Sequence, residues 1–144
     1  MPPRPSTQPP NPDPGRPRLH GLDDLVAVGA GGLVGSAARA GIGFFLPTPI
    51  GAFPTGILII NLTGSFLLGL YLVRREQAVM ARWSVPFWAF GVLGSFTTFS
   101  AFSLDVTRLL ADGHTLIAAG YIGASTVGGL TAAGLGQRIG LVVR

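Results

Sequence analysis

The sequence predicts an all-α membrane protein with four transmembrane helices, and three observations support that fold class. The 144 residues are 48% hydrophobic and only 11% charged, whereas about 25% of the residues of an ordinary soluble domain are charged. Between Leu25 and Arg74 the only charged residue is Arg39. Four long apolar segments also follow one another along the chain, each long enough to cross a bilayer as a helix. We therefore expect lipid to be the solvent of most of this chain.

The first 22 residues form a separate region. The stretch MPPRPSTQPPNPDPGRPR is rich in proline and polar residues, and it cannot bury enough apolar surface to fold alone. We predict a disordered N-terminal tail over residues 1–22. No apolar run follows its first residues, so we do not expect a signal peptide.

The four apolar segments are predicted to be helices rather than strands. A spanning helix needs roughly 20 residues at a rise of about 1.5 Å each, and the alternating polarity of a membrane strand is absent. Pro47 and Pro49 end the first segment. The predicted spans are 25–46, 55–73, 85–110 and 115–135, within a transmembrane domain over 23–138 that is followed by a short C-terminal tail over 139–144.

Glycine is abundant, with 22 residues, and its spacing indicates close helix packing. Gly31 and Gly35 form a GxxxG pair in the first span, and small residues let membrane helices approach each other. In the fourth span, small residues recur at every fourth position: Gly120, Ala124, Gly128, Ala132 and Gly136. Such packing on several helices favours an oligomer. The segment GAGGLVG lacks the spacing, the preceding strand and the acidic residue of a dinucleotide-binding loop.

Polar residues inside the spans point to a functional site, because they are costly in hydrocarbon. Asn61 lies in the middle of the second span, either as a clasp between helices or as a functional group. In the third span, thirteen positions (91–103) hold two glycines, five hydroxyl residues and three phenylalanines. This composition predicts a broken helix, which at membrane depth is tolerated where it lines a cavity or is buried in protein. Its freed carbonyls would suit a hard cation.

Aromatic and hydroxyl residues alternate in this third span in a pattern that suits a small anion. Phe96, Phe99 and Phe102 are spaced by three, so we expect them to share one side. The edge of a phenyl ring is electropositive, and hydroxyl and amide groups donate hydrogen bonds, so this lining can hold an anion without a fixed positive charge. Conduction needs binding that is favourable but weak. Arg39 can reach the membrane surface or stand in an anion-gathering entrance, and we favour an entrance or structural role.

Several other function classes are not supported. All ten basic residues are arginines at the ends of apolar segments, which fits membrane flanks better than contact with nucleic acid. The chain has no cysteine, and hence neither a disulfide nor a thiolate. His20 and His114 lie in the tail and a loop, and no carboxylate pair or nucleophile with its base is visible, so we do not predict an enzyme.

Three motifs resemble the Fluc (CrcB) family of fluoride channels, in the order in which that family carries them. They are GGLVGSAAR (31–39), GILIINLTGSFLLG (56–69) and GVLGSFTTFSAFS (91–103). The TTFSAF core with its upstream glycines is highly specific, and the resemblance covers roughly 25–136. It implies a multi-pass protein of the plasma (inner) membrane that exports fluoride passively and gives fluoride resistance.

The resemblance also implies how the site is built. Two subunits in opposite orientations would form a dual-topology antiparallel dimer, with two fluoride pores between the subunits and a structural sodium ion (Na⁺) at the centre. Asn61 would be the pore amide, and the carbonyls of Gly94 and Thr97 from both subunits would hold sodium. Phe99 and Phe102 would flank the fluoride path. Further polar groups along the path would be Thr98, Ser100, Tyr121 and Ser125. Arg39 matches the arginine of the family's first helix.

The sequence departs from the family pattern at two positions. Ala40 stands where an aromatic residue often follows the arginine, and Gly129 stands where a second hydroxyl of the fourth helix is expected. The polar track would therefore be shorter there or would use water. The N-terminal tail has no counterpart in the family pattern.

The arginines are distributed unevenly between the two membrane sides. In a four-span topology eight arginines share the side of both termini, against Arg108 and Arg39 on the other. The eight are Arg4, Arg16, Arg18, Arg74, Arg75, Arg82, Arg138 and Arg144. Such a bias predicts one orientation with both ends in the cytoplasm, so the partner is either a second copy or a related subunit of opposite orientation.

Two alternative functions remain at this point. A small proton-coupled exporter can also be a four-helix dual-topology dimer, but it needs an acid within the membrane. Only Asp105, near the end of the third span, offers one. A purely structural membrane subunit would explain the small-residue stripes but not the hydroxyl-rich third span.

Overall fold

The computed structural model describes residues 21–77 and 80–142. Nearly all of the predicted N-terminal tail lies outside these residues, as do four of the arginines counted above (Arg4, Arg16, Arg18 and Arg144). The described residues form helices joined by short loops, and four of the helical stretches are long and apolar enough to cross a membrane. The predicted number of spans is confirmed.

Helices α1 (Leu22–Phe45) and α2 (Thr55–Gln77) form the first two spans. Asp23 and Asp24 lie in the first turn of α1, and Arg74 and Arg75 lie in the last turn of α2. Each charge thus complements the partial charge of its helix end. Helix α2 extends four residues past its predicted end. The hydropathy pattern excluded its last, charged turn, which continues the helix beyond the apolar stretch.

The third span, Val85–Ala111, contains three successive helical segments. A π-helical segment (Val85–Leu93) continues into the single turn α3 (Gly94–Phe96), and α4 follows (Phe99–Ala111). Between α3 and α4, Thr97 (φ −75°, ψ 157°) and Thr98 (φ −151°, ψ 122°) have extended backbone. The Thr97 N–H still donates to the Leu93 carbonyl, as in a helix, so the helical hydrogen-bond ladder of this span stops at Thr98.

Helix α5 (Thr115–Val142) follows a tight turn in which Gly113 has φ 80°. It continues to Val142, so residues 139–142 of the segment expected to be a C-terminal tail are helical. The reason lies in packing: a Cβ on Gly136 would overlap the carbonyl of Phe66, and a Cβ on Gly140 would press on Val73. Helix α2 thus supports α5 beyond the apolar stretch that sequence reading could recognise.

Glycines let two pairs of helical segments pack closely. Helix α1 packs on the π-helical segment, where a Cβ on Gly31 would overlap the Phe87 carbonyl and one on Gly35 the Val92 carbonyl. Helix α2 packs on α5 in the same way, through Gly69 against Ala133 and through Gly136. The predicted packing role is confirmed for Gly31, Gly35 and Gly136. Gly120, at the start of the predicted stripe, faces open space.

Most apolar side chains of this subunit face outward. In the most apolar window of each span, no more than 22% of the residues are buried inside the chain. Tyr121 and Ile60 are fully buried, whereas Leu33, Phe44 and Leu116 are largely exposed. In water such a surface would be unstable, so these faces contact lipid or another protein chain.

Candidate functional site

The backbone at Thr98 is held by the side chain of Asn61. The Asn61 Nδ2 donates to the Thr98 carbonyl at 3.0 Å, and the Thr98 N–H donates to Asn61 Oδ1 at 2.9 Å. Thr98 is only 8% exposed, so both backbone groups need such partners. Asn61 therefore is an interhelical clasp, one of the two roles left open by the sequence. Its amide retains one further N–H for another acceptor.

Gly64 lets this segment lie close to α2. A Cβ at that position would overlap Cγ2 of Thr97. The Thr97 hydroxyl turns back and donates to the Leu93 carbonyl at 2.9 Å, which also accepts the Thr97 N–H at 3.1 Å. The Thr97 hydroxyl is thus engaged with the end of the preceding helix.

Thr98 begins α4 as its N-cap residue. Its Oγ1 accepts from the Ala101 N–H at 3.2 Å and lies 3.1 Å from the Ser100 hydroxyl. Such a cap satisfies one of the free N–H groups of the first turn. The hydroxyls of Thr98 and Ser100 are therefore already engaged with each other and with the backbone.

These bonds leave two carbonyls without their usual helical donors. In an unbroken helix the Thr98 N–H would donate to Gly94 and the Ala101 N–H to Thr97, but here the first donates to Asn61 and the second to Thr98 Oγ1. Carbonyl oxygens are ligands that hard cations accept. Gly94 and Thr97 are thus chemically suited to the ion that the resemblance assigned to them. Among the described residues, no cluster of His, Cys, Asp or Glu offers an alternative metal site.

Phe99, Phe102 and Tyr121 form a row of rings beside the broken segment. The centroids of Phe99 and Phe102 are 5.7 Å apart, and those of Phe102 and Tyr121 are 5.1 Å apart. Phe99 is 79% exposed, whereas Tyr121 is fully buried. The row therefore runs from the open surface of the subunit into its interior.

The prediction that Phe96 shares this row is wrong. Phe96 lies in α3, before the two extended residues, and it is 7% exposed. Its ring lies beside Gly64 and its backbone N–H beside Gly35. Residues three positions apart lie on the same side only within one continuous helix, and the chain leaves the helix between Phe96 and Phe99.

A cavity of about 410 Å³ connects these groups. It is lined by seven of the predicted residues, namely Asn61, Gly94, Thr97, Thr98, Phe99, Phe102 and Ser125. Sequence reasoning missed Ser65 and Thr126, which also line it. The signal for Ser65 was its position four residues after Asn61, which places both on one face of α2. Ser100, Tyr121 and Arg39 are not among the described residues that line the cavity.

The hydroxyl groups near the cavity differ in whether they have a hydrogen-bond partner. The Tyr121 Oη and Ser125 Oγ are buried and have no hydrogen-bond partner within the described part of the chain. Thr126, in contrast, donates to the Ile122 carbonyl at 2.9 Å. A buried hydroxyl without a partner is unusual in proteins, so Tyr121 and Ser125 are donors in need of an acceptor.

The second cavity, of about 610 Å³, lies between α4 and the loop that joins α1 to α2. Asp105, Arg108 and Asp112 line it together with loop residues from Thr48 to Pro54. Arg39 is half-buried on α1, and it lines neither of these two cavities.

The fold and the cavity define a multi-pass α-helical membrane protein with a pore-like lining of rings, amide and hydroxyls. Comparison with known proteins identifies the family. The model of the family described as "CrcB-like protein, Camphor Resistance (CrcB)" matches residues 26–137, and the chain belongs to this family. The resemblance seen in the sequence motifs is thereby confirmed.

Curated relatives of this chain are named as fluoride-specific ion channels. FluC 3 of Streptomyces avermitilis is 46% identical over 117 residues, which are 81% of this chain and 57% of that protein. FluC 2 of Geobacillus kaustophilus is 40% identical over 77% of this chain and 88% of its own length. FluC of Rhizobium meliloti is 42% identical, with 72% and 85% covered. The family is one of ion channels and not of enzymes, as predicted, and its members are multi-pass membrane proteins, in bacteria of the plasma membrane.

Proposed function

We propose that this chain forms a fluoride-selective channel that lets cytoplasmic fluoride leave by passive electrodiffusion and so gives fluoride resistance. The observation that carries the proposal is the buried, unpartnered hydroxyl of Ser125 in the cavity that Phe99 and Phe102 line, with the equally unpartnered hydroxyl of Tyr121 one turn earlier on α5. Fluoride is a small, strongly hydrogen-bonding halide, so it fits donors that lack an acceptor. The names of the curated relatives support the same ion.

The proposed path holds fluoride with neutral groups only. The second N–H of the Asn61 amide, the free hydroxyls and the electropositive ring edges each contribute a partial positive charge. Helix α4 begins at this point, and its N-terminus adds a further partial positive charge. No arginine is among the described residues that line the cavity, so its side chains attract the ion without trapping it, which conduction requires.

We further propose that the pore is completed by a second subunit in the opposite orientation. Phe99, a residue of the proposed path, lines the cavity and is 79% exposed in the single subunit. Sodium would be held at the centre of the dimer by the carbonyls of Gly94 and Thr97, two oxygens per subunit. When bound there, sodium would supply the positive charge that offsets these carbonyl dipoles and holds the two broken segments together.

The partner is a second copy or a related subunit of opposite orientation, and the arginine bias favours the related subunit. Eight arginines belong to the membrane side that holds both termini. Four of them are among the described residues, namely Arg74, Arg75, Arg82 and Arg138. Tags on both termini, with their sidedness mapped in cells that express this gene alone, test the idea. Equal populations of the two orientations would refute it and support the homodimer.

A proton-coupled exporter is the alternative. Such a carrier needs a titratable acid on its transport path. Asp105 is half-buried in the middle of α4, on the wall of the second cavity, which Arg108 also lines. The cavity that contains the clasp holds no carboxylate among its described lining residues. This arrangement favours the channel.

The test is fluoride release from proteoliposomes, followed with a fluoride-selective electrode and compared with chloride release. The channel is expected to release fluoride rapidly once a potassium ionophore balances the charge, and to release little chloride. A proton-coupled exporter would instead need a pH gradient. Equal release of both halides, or of neither, would refute the proposed selectivity.

A further inference from the structure

The row of free hydroxyls on α5 stops one turn short of its expected length. Residues four apart lie on one side of a helix, so Tyr121, Ser125 and Gly129 share a face. The first two place buried hydroxyls there, with no partner in the described part of the chain. Gly129 has no side chain with which to add a third.

Ser65 of α2 stands opposite the gap at Gly129. A Cβ built on Gly129 would lie 3.7 Å from Ser65 Oγ, which is ordinary van der Waals contact. Ser65 also lines the cavity of about 410 Å³ together with Asn61 and Ser125. Its hydroxyl therefore lies beside the space that a side chain at position 129 would enter.

The Ser65 hydroxyl is free, unlike the hydroxyls of Thr126 and Thr131 on α5. A helical serine or threonine can bond back to the carbonyl four residues earlier. Thr126 does so at 2.9 Å, and Thr131 does so to the Val127 carbonyl at 2.7 Å. Within residues 21–77 and 80–142, Ser65 Oγ has no hydrogen bond of this or any other kind. Its O–H is thus available to an ion in the cavity.

We propose that Ser65 is a further fluoride-contacting residue of the pore, and that its hydroxyl takes the position on the path that α5 leaves empty at Gly129. The row of donors then passes from Tyr121 and Ser125 on α5 across to α2. A neutral hydroxyl binds a small anion weakly enough for it to move on. This inference rests on the proposed function, because it names a contact of the same pore.

The first test is Ser65→Ala, which removes the hydroxyl and keeps the Cβ. We expect fluoride release from proteoliposomes to fall about 3- to 10-fold, the size expected from the loss of one hydrogen bond. We also expect the fluoride concentration for half-maximal flux to rise, which a purely packing role would not cause. Thr131→Val is the matched control, because its hydroxyl is already bonded to its own helix, and it should conduct like the wild type.

The second test moves the hydroxyl across the gap. Ser65→Ala combined with Gly129→Ser should regain most of the flux and the original half-saturation, since position 129 has room for a side chain. Ser65→Ala combined with Gly129→Ala adds the same Cβ without the hydroxyl and should stay low. Size-exclusion profiles of all variants report whether they fold and assemble alike.

The outcomes separate this inference from the proposed function. Wild-type flux in Ser65→Ala would overturn the role of Ser65 while leaving the fluoride channel intact. Failure of Gly129→Ser to restore the flux, or equal recovery with Gly129→Ala, would also overturn it. Absence of fluoride release by the wild type would refute the proposed function itself.

Discussion

Replacing Asn61 by alanine removes both hydrogen bonds that hold Thr98, at 3.0 and 2.9 Å. Thr98 is 8% exposed, so its N–H and carbonyl lose their partners without gaining water. A buried polar group left without a partner costs about 1–3 kcal/mol, which predicts a loss of about 2–6 kcal/mol for the pair. Membrane hydrogen bonds average nearer to ~0.6 kcal/mol each, which sets a lower bound near 1 kcal/mol.

Equilibrium unfolding in mixed micelles, titrated with a denaturing detergent and followed by tryptophan fluorescence, measures this free energy. We expect a loss of about 2 kcal/mol, which lies within the range worked out above and shifts the folded-to-unfolded ratio roughly 30-fold. Thr63→Ala is the matched control: the side chain is on the same helix, exposed and without a hydrogen bond in the described chain. It should unfold like the wild type.

Asn61→Asp tests the path, because it keeps one of the two bonds of the clasp and places a negative charge beside the proposed path. A carboxylate still accepts from the Thr98 N–H, but it cannot donate to the Thr98 carbonyl, and its charge repels fluoride. We expect fluoride flux to be abolished in both variants. Unfolding of Asn61→Ala within about 0.5 kcal/mol of the wild type, the ordinary range for a surface substitution, would refute the clasp.

Three further predictions concern the ring row, the close helix contact and the ion. Phe99→Ile keeps an apolar side chain but loses the electropositive ring edge, so fluoride efflux should be suppressed with dimers intact, and undiminished efflux would contradict the assigned role. Gly35→Ala should lower the free energy of unfolding by about 1–3 kcal/mol, the usual cost of overpacking, because its Cβ meets the Val92 carbonyl. Gly41→Ala, with open space around its Cβ, is the control in the same micelle titration, and equal stability of the two would disprove the contact. Replacing all sodium by a bulky organic cation during purification should slow fluoride release, if the Gly94 and Thr97 carbonyls hold sodium, and an unchanged rate would argue against that site.

The sequence motifs identified the residues of the proposed path, but they did not show which of the hydroxyl groups are already hydrogen-bonded within the chain. Thr98 and Ser100 were expected as polar groups along the path, and in the structure their hydroxyls bond to each other and to the α4 backbone. Ser65, in contrast, drew no attention in the sequence, although its hydroxyl is free beside Asn61. A residue type shows which hydrogen bonds are possible, whereas only the fold shows which of them are already made.

Local periodicity failed where the chain changes conformation. Phe96, Phe99 and Phe102 have helical spacing, yet two extended residues separate the first from the others. The composition of the segment indicated a break but not its position. The position depends on the Asn61 clasp from another helix, since that side chain takes the N–H that would have continued the ladder.

Hydropathy alone determined the number of spans and their approximate bounds, because crossing a bilayer depends on a local quantity, the apolar content of about 20 consecutive residues. The ends of α2 and α5 were set differently, by a charged turn and by packing against a neighbouring helix. The cavity, the clasp and the set of free donors join residues from α2, α4 and α5. Only the tertiary structure could decide these features, because each depends on distances between side chains far apart in the chain.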